Sequence, residues 1–347
     1  MRIWKQILIG LIPVVLGVGC HAEHRNVEPA FYYWQTVFRL PASGRKLLDT
    51  LACRRLYVKF LDIGVQPETG VVEPLSMLDV ADTTGLSGKT VIPCVFITNE
   101  VFEKINRARA DWLASRTAEA LQSVGRQFGA GVFQPKEVQI DCDWTASTRE
   151  AYFAYLQSVR AHLPASTRLS ATIRLHQYKQ PGKTGVPPVD RGMLMFYNTG
   201  DIDDPADGNS IFQADQVGRY LQGAPARYPL PLDVVLPVFS WGLVYRDDAL
   251  WKIIHGLRAA DLTDTALYAP GVHYTVRKGT FLSGHYLRPG DEIRLEAIGP
   301  KLLETAAGLA AQVSLAPDAT VGFYHLDTNM VRAYPSRVLL NTLKVIE

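Results

Sequence analysis

Val138-Gln139-Ile140-Asp141-Cys142-Asp143-Trp144-Thr145 is the stretch on which the reading of this chain turns. Side chains alternate faces along an extended strand, so Gln139, Asp141, Asp143 and Thr145 share one side, and Val138, Ile140, Cys142 and Trp144 the other. A carboxylate taken out of water without a partner takes up a proton or costs several kcal/mol. Two acids at the end of an otherwise apolar strand therefore imply partners, water or a ligand on the polar side. The pattern is that of a barrel strand aiming acids at a cleft.

Outward from this strand, seven more apolar runs have strand character: residues 30–34, 55–61, 90–98, 169–174, 193–197, 232–239 and 320–325. Segments 44–53, 109–128, 147–162, 211–221, 247–260 and 300–313 between them have helical periodicity, and 336–345 makes a closing helix. Strands alternating with helices give a parallel sheet, and eight such strands give a closed (β/α)₈ barrel of the TIM type, here as a single domain over residues 29–347. Two links depart from the ideal. The segment from Arg174 to Met193 holds no credible helix, and the long link between 260 and 320 contains a small β excursion at 274–281 and 290–296.

The first residues carry a different message. Arg2 and Lys5 precede an apolar run from Ile7 to Val18, which ends in Gly17-Val18-Gly19-Cys20 before a polar segment. That is a three-part secretory signal, too short in its apolar core to span as a permanent helix. Its end resembles a bacterial lipoprotein signal, with Gly17 where such signals usually carry Leu. On this reading residues 1–19 are removed, Cys20 is lipidated and residues 20–28 form a tether. The alternative is cleavage after Ala22 to a soluble exported protein. Either route takes the chain out of the cytoplasm, and the first leaves it anchored in the bacterial cell envelope.

Removing residues 1–19 takes Arg2 and Lys5 from the 36 basic residues, leaving 34 against 34 acidic ones. A near-neutral chain lacks the basic stripe that a nucleic-acid partner requires. No glycine-rich dinucleotide loop, phosphate-cradling loop or nucleophile elbow is present, so neither a nucleotide nor a serine triad is expected. The histidines are scattered and the remaining cysteines, Cys53, Cys94 and Cys142, lack paired spacing. Neither a disulfide framework nor a metal site follows; Asp141, Asp143 and His176 are the one set that could hold a divalent ion, and a hydrogen-bonded barrel histidine is the plainer reading of His176. No cofactor is expected. Cys94 and Cys142 read as small core residues.

In a (β/α)₈ barrel the chemistry collects at the C-terminal strand ends. Those ends place Trp34, Lys59, Asp62, Asp141, Asp143, Arg174, His176, Tyr197, Asn198, Trp241, Tyr324, His325 and Asp327 around one mouth, with Gln177 just beyond the fifth strand. Ser170, Thr172, Arg174 and His176 alternate with Leu169, Ala171, Ile173 and Leu175, so the fifth strand also has one polar face. Arg174 and Lys59 either set the protonation of the aspartates or simply neutralise them as scaffolding. Trp34, Trp144 and Trp241 suit a sugar site, where a flat ring covers the apolar face of a pyranose. Gln177, Tyr197 and Asn198 are hydrogen-bonding candidates for hydroxyls, with loop capping as the plain alternative.

Ile140-Asp141-Cys142-Asp143-Trp144 resembles the fourth-strand signature of the family-18 glycoside hydrolases, chitinase-like (β/α)₈ enzymes whose motif runs Asp-x-Asp-x-Glu. Thr145 stands where the catalytic Glu would fall, so the family mechanism does not transfer. More broadly, Gln139 to Thr145, Thr172-Ile173-Arg174-Leu175-His176-Gln177, Gly185-Val186-Pro187-Pro188-Val189-Asp190 and Leu194-Met195-Phe196-Tyr197-Asn198 are similar to exported bacterial lipoproteins with a glycoside-hydrolase-like barrel. The resemblance implies a fold and a location.

Glycoside hydrolysis needs two carboxyl groups. Asp143 is the first candidate for the acid, with Asp141, Asp327 or Asp62 as its partner, and the seventh strand offers no carboxylate. The leading expectation is a carbohydrate-active, hydrolase-like envelope lipoprotein with a glycan as partner. The alternative is a glycan-binding or structural lipoprotein on a degenerate barrel.

Overall fold

A computed structural model describes residues 25–129 and 134–347, so the signal and Cys20 lie outside the described residues. Eight strands form the barrel: β1 (Glu28–Tyr33), β2 (Arg55–Val65), β3 (Thr90–Ile97), β4 (Glu137–Asp141), β5 (Arg168–Arg174), β6 (Arg191–Met195), β7 (Leu232–Pro237) and β8 (Thr320–Tyr324). Each runs parallel to the next, and β8 returns to β1 with Ala30 opposite Gly322. Every residue of β4, β6 and β7 is buried, as expected of strands covered on both faces. Closure removes the sheet edges.

Helices α1 (Ala42–Thr50), α2 (Ala110–Gly125), α3 (Arg149–His162), α4 (Ala214–Leu221), α5 (Pro300–Ala310) and α6 (Ser336–Ile346) make the outer layer. Their buried residues, such as Leu113, Leu121 and Val124 of α2, pack with the outward-facing strand residues in one core. The inward face is unusual in being polar along β4. Glu137, Gln139 and Asp141 alternate into the interior, where the Tyr32 hydroxyl donates to Gln139 Oε1 at 2.7 Å and the Ser170 hydroxyl to Glu137 Oε1 at 2.6 Å. Buried polar groups persist only when paired, and this layer is paired across strands.

The eight expected strands are all present, but β2 runs on to Val65 and pairs antiparallel with Val72–Met77. The expected helix over 247–260 is not found. Strand Ala249–His255 stands there instead, antiparallel to Ser240–Arg246 across a turn at Asp247 and Asp248, both with positive φ. Leu250, Ile253, Ile254 and Leu257 have helical i, i+3, i+4, i+7 spacing, which misled the periodicity; Ile254 and Leu257 belong instead to a second apolar core inside the insertion. The β excursion thus begins at Ser240, and five strands form one sheet after β7. The link after β5 carries two short helices, Leu175–Lys179 and Pro181–Thr184, where none was expected.

Candidate functional site

At the C-terminal end of the barrel lies a cavity of about 500 Å³. Ten of the residues read from the strand ends line it: Trp34, Asp141, Asp143, Arg174, Tyr197, Asn198, Trp241, Tyr324, His325 and Asp327. The strand geometry brings them together because they end or follow six staves of the same cylinder, β1 and β4 to β8.

Arg174 organises the acids. Its Nε donates to Asp143 Oδ1, while its Nη2 stands 3.6 Å from Asp141 Oδ1. Asp141 is buried and accepts from the Thr172 hydroxyl at 2.6 Å; Asp143 is more than half exposed toward the cavity side. Burial pushes the Asp141 carboxyl above the usual carboxylate range, with the Asp143 and Asp62 charges adding to it and Arg174 and Thr172 opposing. The guanidinium itself loses to burial but gains more from Asp143 and Asp141, so it is held charged.

The opposite side is aromatic. Trp34 and Tyr324 have ring centroids 5.6 Å apart, Tyr324 stacks on Tyr197 at 5.1 Å, and Phe239 meets Trp241 at 5.2 Å. The Trp241 indole N–H is already spent on Glu296 Oε2 at 2.7 Å, so this residue offers the cavity its ring alone. Lys59 reaches Asp62 at 2.7 Å and lies 5.7 Å from the Trp34 ring, behind the cavity wall. His325 Nε2 is 3.8 Å from Asp327 Oδ2. Desolvation holds the His325 imidazole below its ordinary value, against the pull of Asp327, and His255 and Lys59 lower it further.

Three expected sugar contacts are elsewhere. β5 ends at Arg174, so the alternation stops there and His176 falls on the short helix Leu175–Lys179, exposed and off the cavity wall. Gln177 is buried: its Oε1 accepts from the Arg174 amide and its Nε2 donates to the Trp144 carbonyl, both at 2.8 Å. Trp144 is fully buried against Tyr152, with its indole N–H given to the Thr184 carbonyl at 2.9 Å. Thr145 is exposed and opens the turn into α3, its amide donating to Thr148 Oγ1 at 2.9 Å.

His255, Arg258, Asn329 and Tyr334 also line the cavity and were missed. His255 and Arg258 sit in the segment misread as helix. No local pattern marked them, because the insertion folds back over the mouth only in three dimensions.

No family model and no curated protein matches the chain. Solved structures do. The spore cortex-lytic enzyme SleL of Bacillus cereus aligns over 92% of this chain and 74% of its own, at 13% identity and a TM-score of 0.51. A chitinase from Bacteroides thetaiotaomicron covers 91% of this chain and 96% of its own, at 8% identity and a TM-score of 0.53. A chitinase from Rhizomucor miehei covers 92% and 99%, at 13% and 0.51. The fold is that of a chitinase-like barrel. At such identities the likeness is one of architecture, and function rests on the site.

Proposed function

We propose that the mouth cavity binds a saccharide, making this a carbohydrate-binding barrel of glycoside-hydrolase-like fold. The observation that carries the reading is the cavity's composition: aromatic faces from Trp34, Tyr324, Phe239 and Trp241 share it with the paired Asp143 and Arg174, and Asp327 lies beside the aromatic wall. A pyranose presents that pairing of apolar faces and rim hydroxyls. The names of the structural neighbours suggest N-acetylglucosamine oligomers and peptidoglycan fragments as the panel to try.

Binding without cleavage is favoured by Thr145 at the family-18 acid position and by Arg174, which claims the exposed carboxylate. Hydrolysis is the second reading, favoured by Asp141. Its carboxyl, pushed above the ordinary range by burial, shares the Arg174 guanidinium with Asp143, so the site holds the two carboxyl groups that glycoside hydrolysis requires. Titration calorimetry and a turnover assay on the same panel separate the two. Binding lost in Trp34→Ala with no turnover in any form supports the binder, whereas turnover abolished by Asp143→Asn with binding retained supports the hydrolase. No binding to any saccharide of the panel would sink both.

The signal-like segment from Arg2 to Cys20 supports an exported envelope lipoprotein, tethered to the membrane through Cys20.

A further inference from the structure

Glu296 is a buried acid to which the saccharide reading gives no role of its own. It stands directly opposite Trp241 where Ser240–Arg246 pairs antiparallel with Glu292–Ala297, so the strand register delivers the carboxylate to the indole. Its Oε2 accepts the Trp241 indole N–H at 2.7 Å, the Ser210 amide at 3.0 Å and the Ser210 hydroxyl at 2.6 Å. Its Oε1 accepts from Arg294 Nε at 2.7 Å. Donors on both oxygens of one buried carboxylate fix its orientation.

The partners are fixed in their turn. Arg294, two residues before Glu296 and on the same strand face, sends its guanidinium to the carbonyls of Asp201, Asp204 and Asp207. That guanidinium lies 5.4 Å from the ring centroid of Tyr245, whose hydroxyl donates to the Ile202 carbonyl at 2.7 Å. Asn209 Nδ2 donates to the Ala297 carbonyl at 2.9 Å. The link after β6, which carries Asn198 of the cavity wall, is thereby fastened to the insertion that carries Trp241, and Glu296 joins the two.

Trp241 lines the cavity yet is only 7% exposed, so a sugar meets a narrow part of its ring and a small rotation would withdraw that part. Packing against Phe239, 5.2 Å away, tolerates a range of ring angles, whereas a charge-assisted hydrogen bond at 2.7 Å selects one. We propose that Glu296 is a positioning residue for the mouth: through the indole N–H it sets the angle at which the Trp241 ring faces a bound sugar. The proposal rests on the reading of the mouth as a saccharide site. A ring fixed before binding spares the complex the entropic cost of ordering it. Glu296 itself stands behind the cavity wall and acts through Trp241.

Glu296→Gln and Glu296→Leu in the full chain separate the hold on Trp241 from scaffolding. Both remove the charge that pairs with Arg294, so both should lower the thermal midpoint, but only the Gln amide keeps an oxygen for the indole. Each is compared with the wild type by calorimetry with an N-acetylglucosamine disaccharide and by the indole N–H resonance of Trp241, assigned through its loss in Trp241→Phe. Glu296→Leu should weaken disaccharide binding by about tenfold and shift the resonance upfield, and Glu296→Gln should restore most of both. Equal loss of affinity in the Gln and Leu forms, or unchanged affinity in the Leu form, overturns the proposal and leaves the mouth a saccharide site. If the Leu form does not fold, the wild type decides: an indole N–H protected from exchange without saccharide supports the hold, and rapid exchange there overturns it. A wild type that binds no saccharide of the panel removes the reading of the mouth and the proposal with it.

Discussion

Arg174 carries more of the site than any other single residue, because one guanidinium answers two carboxylates of different burial. Removing one partner of a buried ion set leaves the others uncompensated, at a cost of about 3–5 kcal/mol. Arg174→Gln should lose about that much in urea unfolding, and the Asp141 carboxyl, already high from burial, should titrate higher still by carboxyl-carbon NMR. An unmoved Asp141 titration would count against the clamp. At the other end of the interior, Asp233 is buried against Arg191 and its carboxyl is pushed up to about 6 by burial, with Arg191 opposing. A folded value above the unfolded one favours the fold below about pH 4, and that contribution is lost as pH rises through about 6. The wild type should forfeit about 3 kcal/mol through this group between pH 4 and 7.5. Asp233→Asn mimics the protonated carboxyl, so it should match the wild type near pH 4 and lack that loss. The two stability curves should diverge as pH rises, with the variant the more stable at neutral pH, and parallel curves would refute the assignment.

At the scale of elements, the junction after β5 joins scaffold to site. Gln177 ties the amide of Arg174 to the carbonyl of Trp144, so the loops after β4 and β5 are pinned to each other. Gln177→Met keeps the volume and strands two buried backbone groups, each worth about 1–3 kcal/mol. Its urea stability should fall by about 2 kcal/mol or more, and saccharide binding should weaken with it, because the Arg174 fork loses its support. Normal stability with lost binding would instead mean that Gln177 touches the ligand. The polar alternation of β5 was visible in Ser170, Thr172 and Arg174 and ended before His176, because a side-chain cap turns the backbone into a helix there. Periodicity alone has no view of that cap.

For the whole molecule, the direction of the barrel decides where a lipid anchor points. β1 starts at Glu28 and runs toward the mouth, so Arg25 lies at the opposite end, its amide on the Glu347 carbonyl at 2.8 Å and its guanidinium on the Ala311 and Val313 carbonyls. Only four residues separate Cys20 from Arg25, a reach of about 17 Å when extended. A lipid on Cys20 would hold the barrel's closed end to the membrane and face the mouth away from it. Cys20→Ala should release the protein from the membrane fraction and abolish labelling by a fatty-acid analogue. Unchanged partition would refute the anchor while leaving the barrel intact.

The sequence by itself determined the staves and their polar ends. Strand period, burial on both faces and acids placed at strand ends are local properties, so β1 to β8 and ten mouth residues were legible one segment at a time. Tertiary structure decided the rest. Whether Leu250, Ile253, Ile254 and Leu257 form a helix face or part of a sheet depends on which partner covers them, and that partner is Ser240–Arg246 together with the core of the insertion. The same folding back brought His255 and Arg258 over the mouth, whereas Trp144 was buried by Tyr152 of α3 and the Thr184 carbonyl. Burial is a relation between distant segments, and no window of sequence contains it.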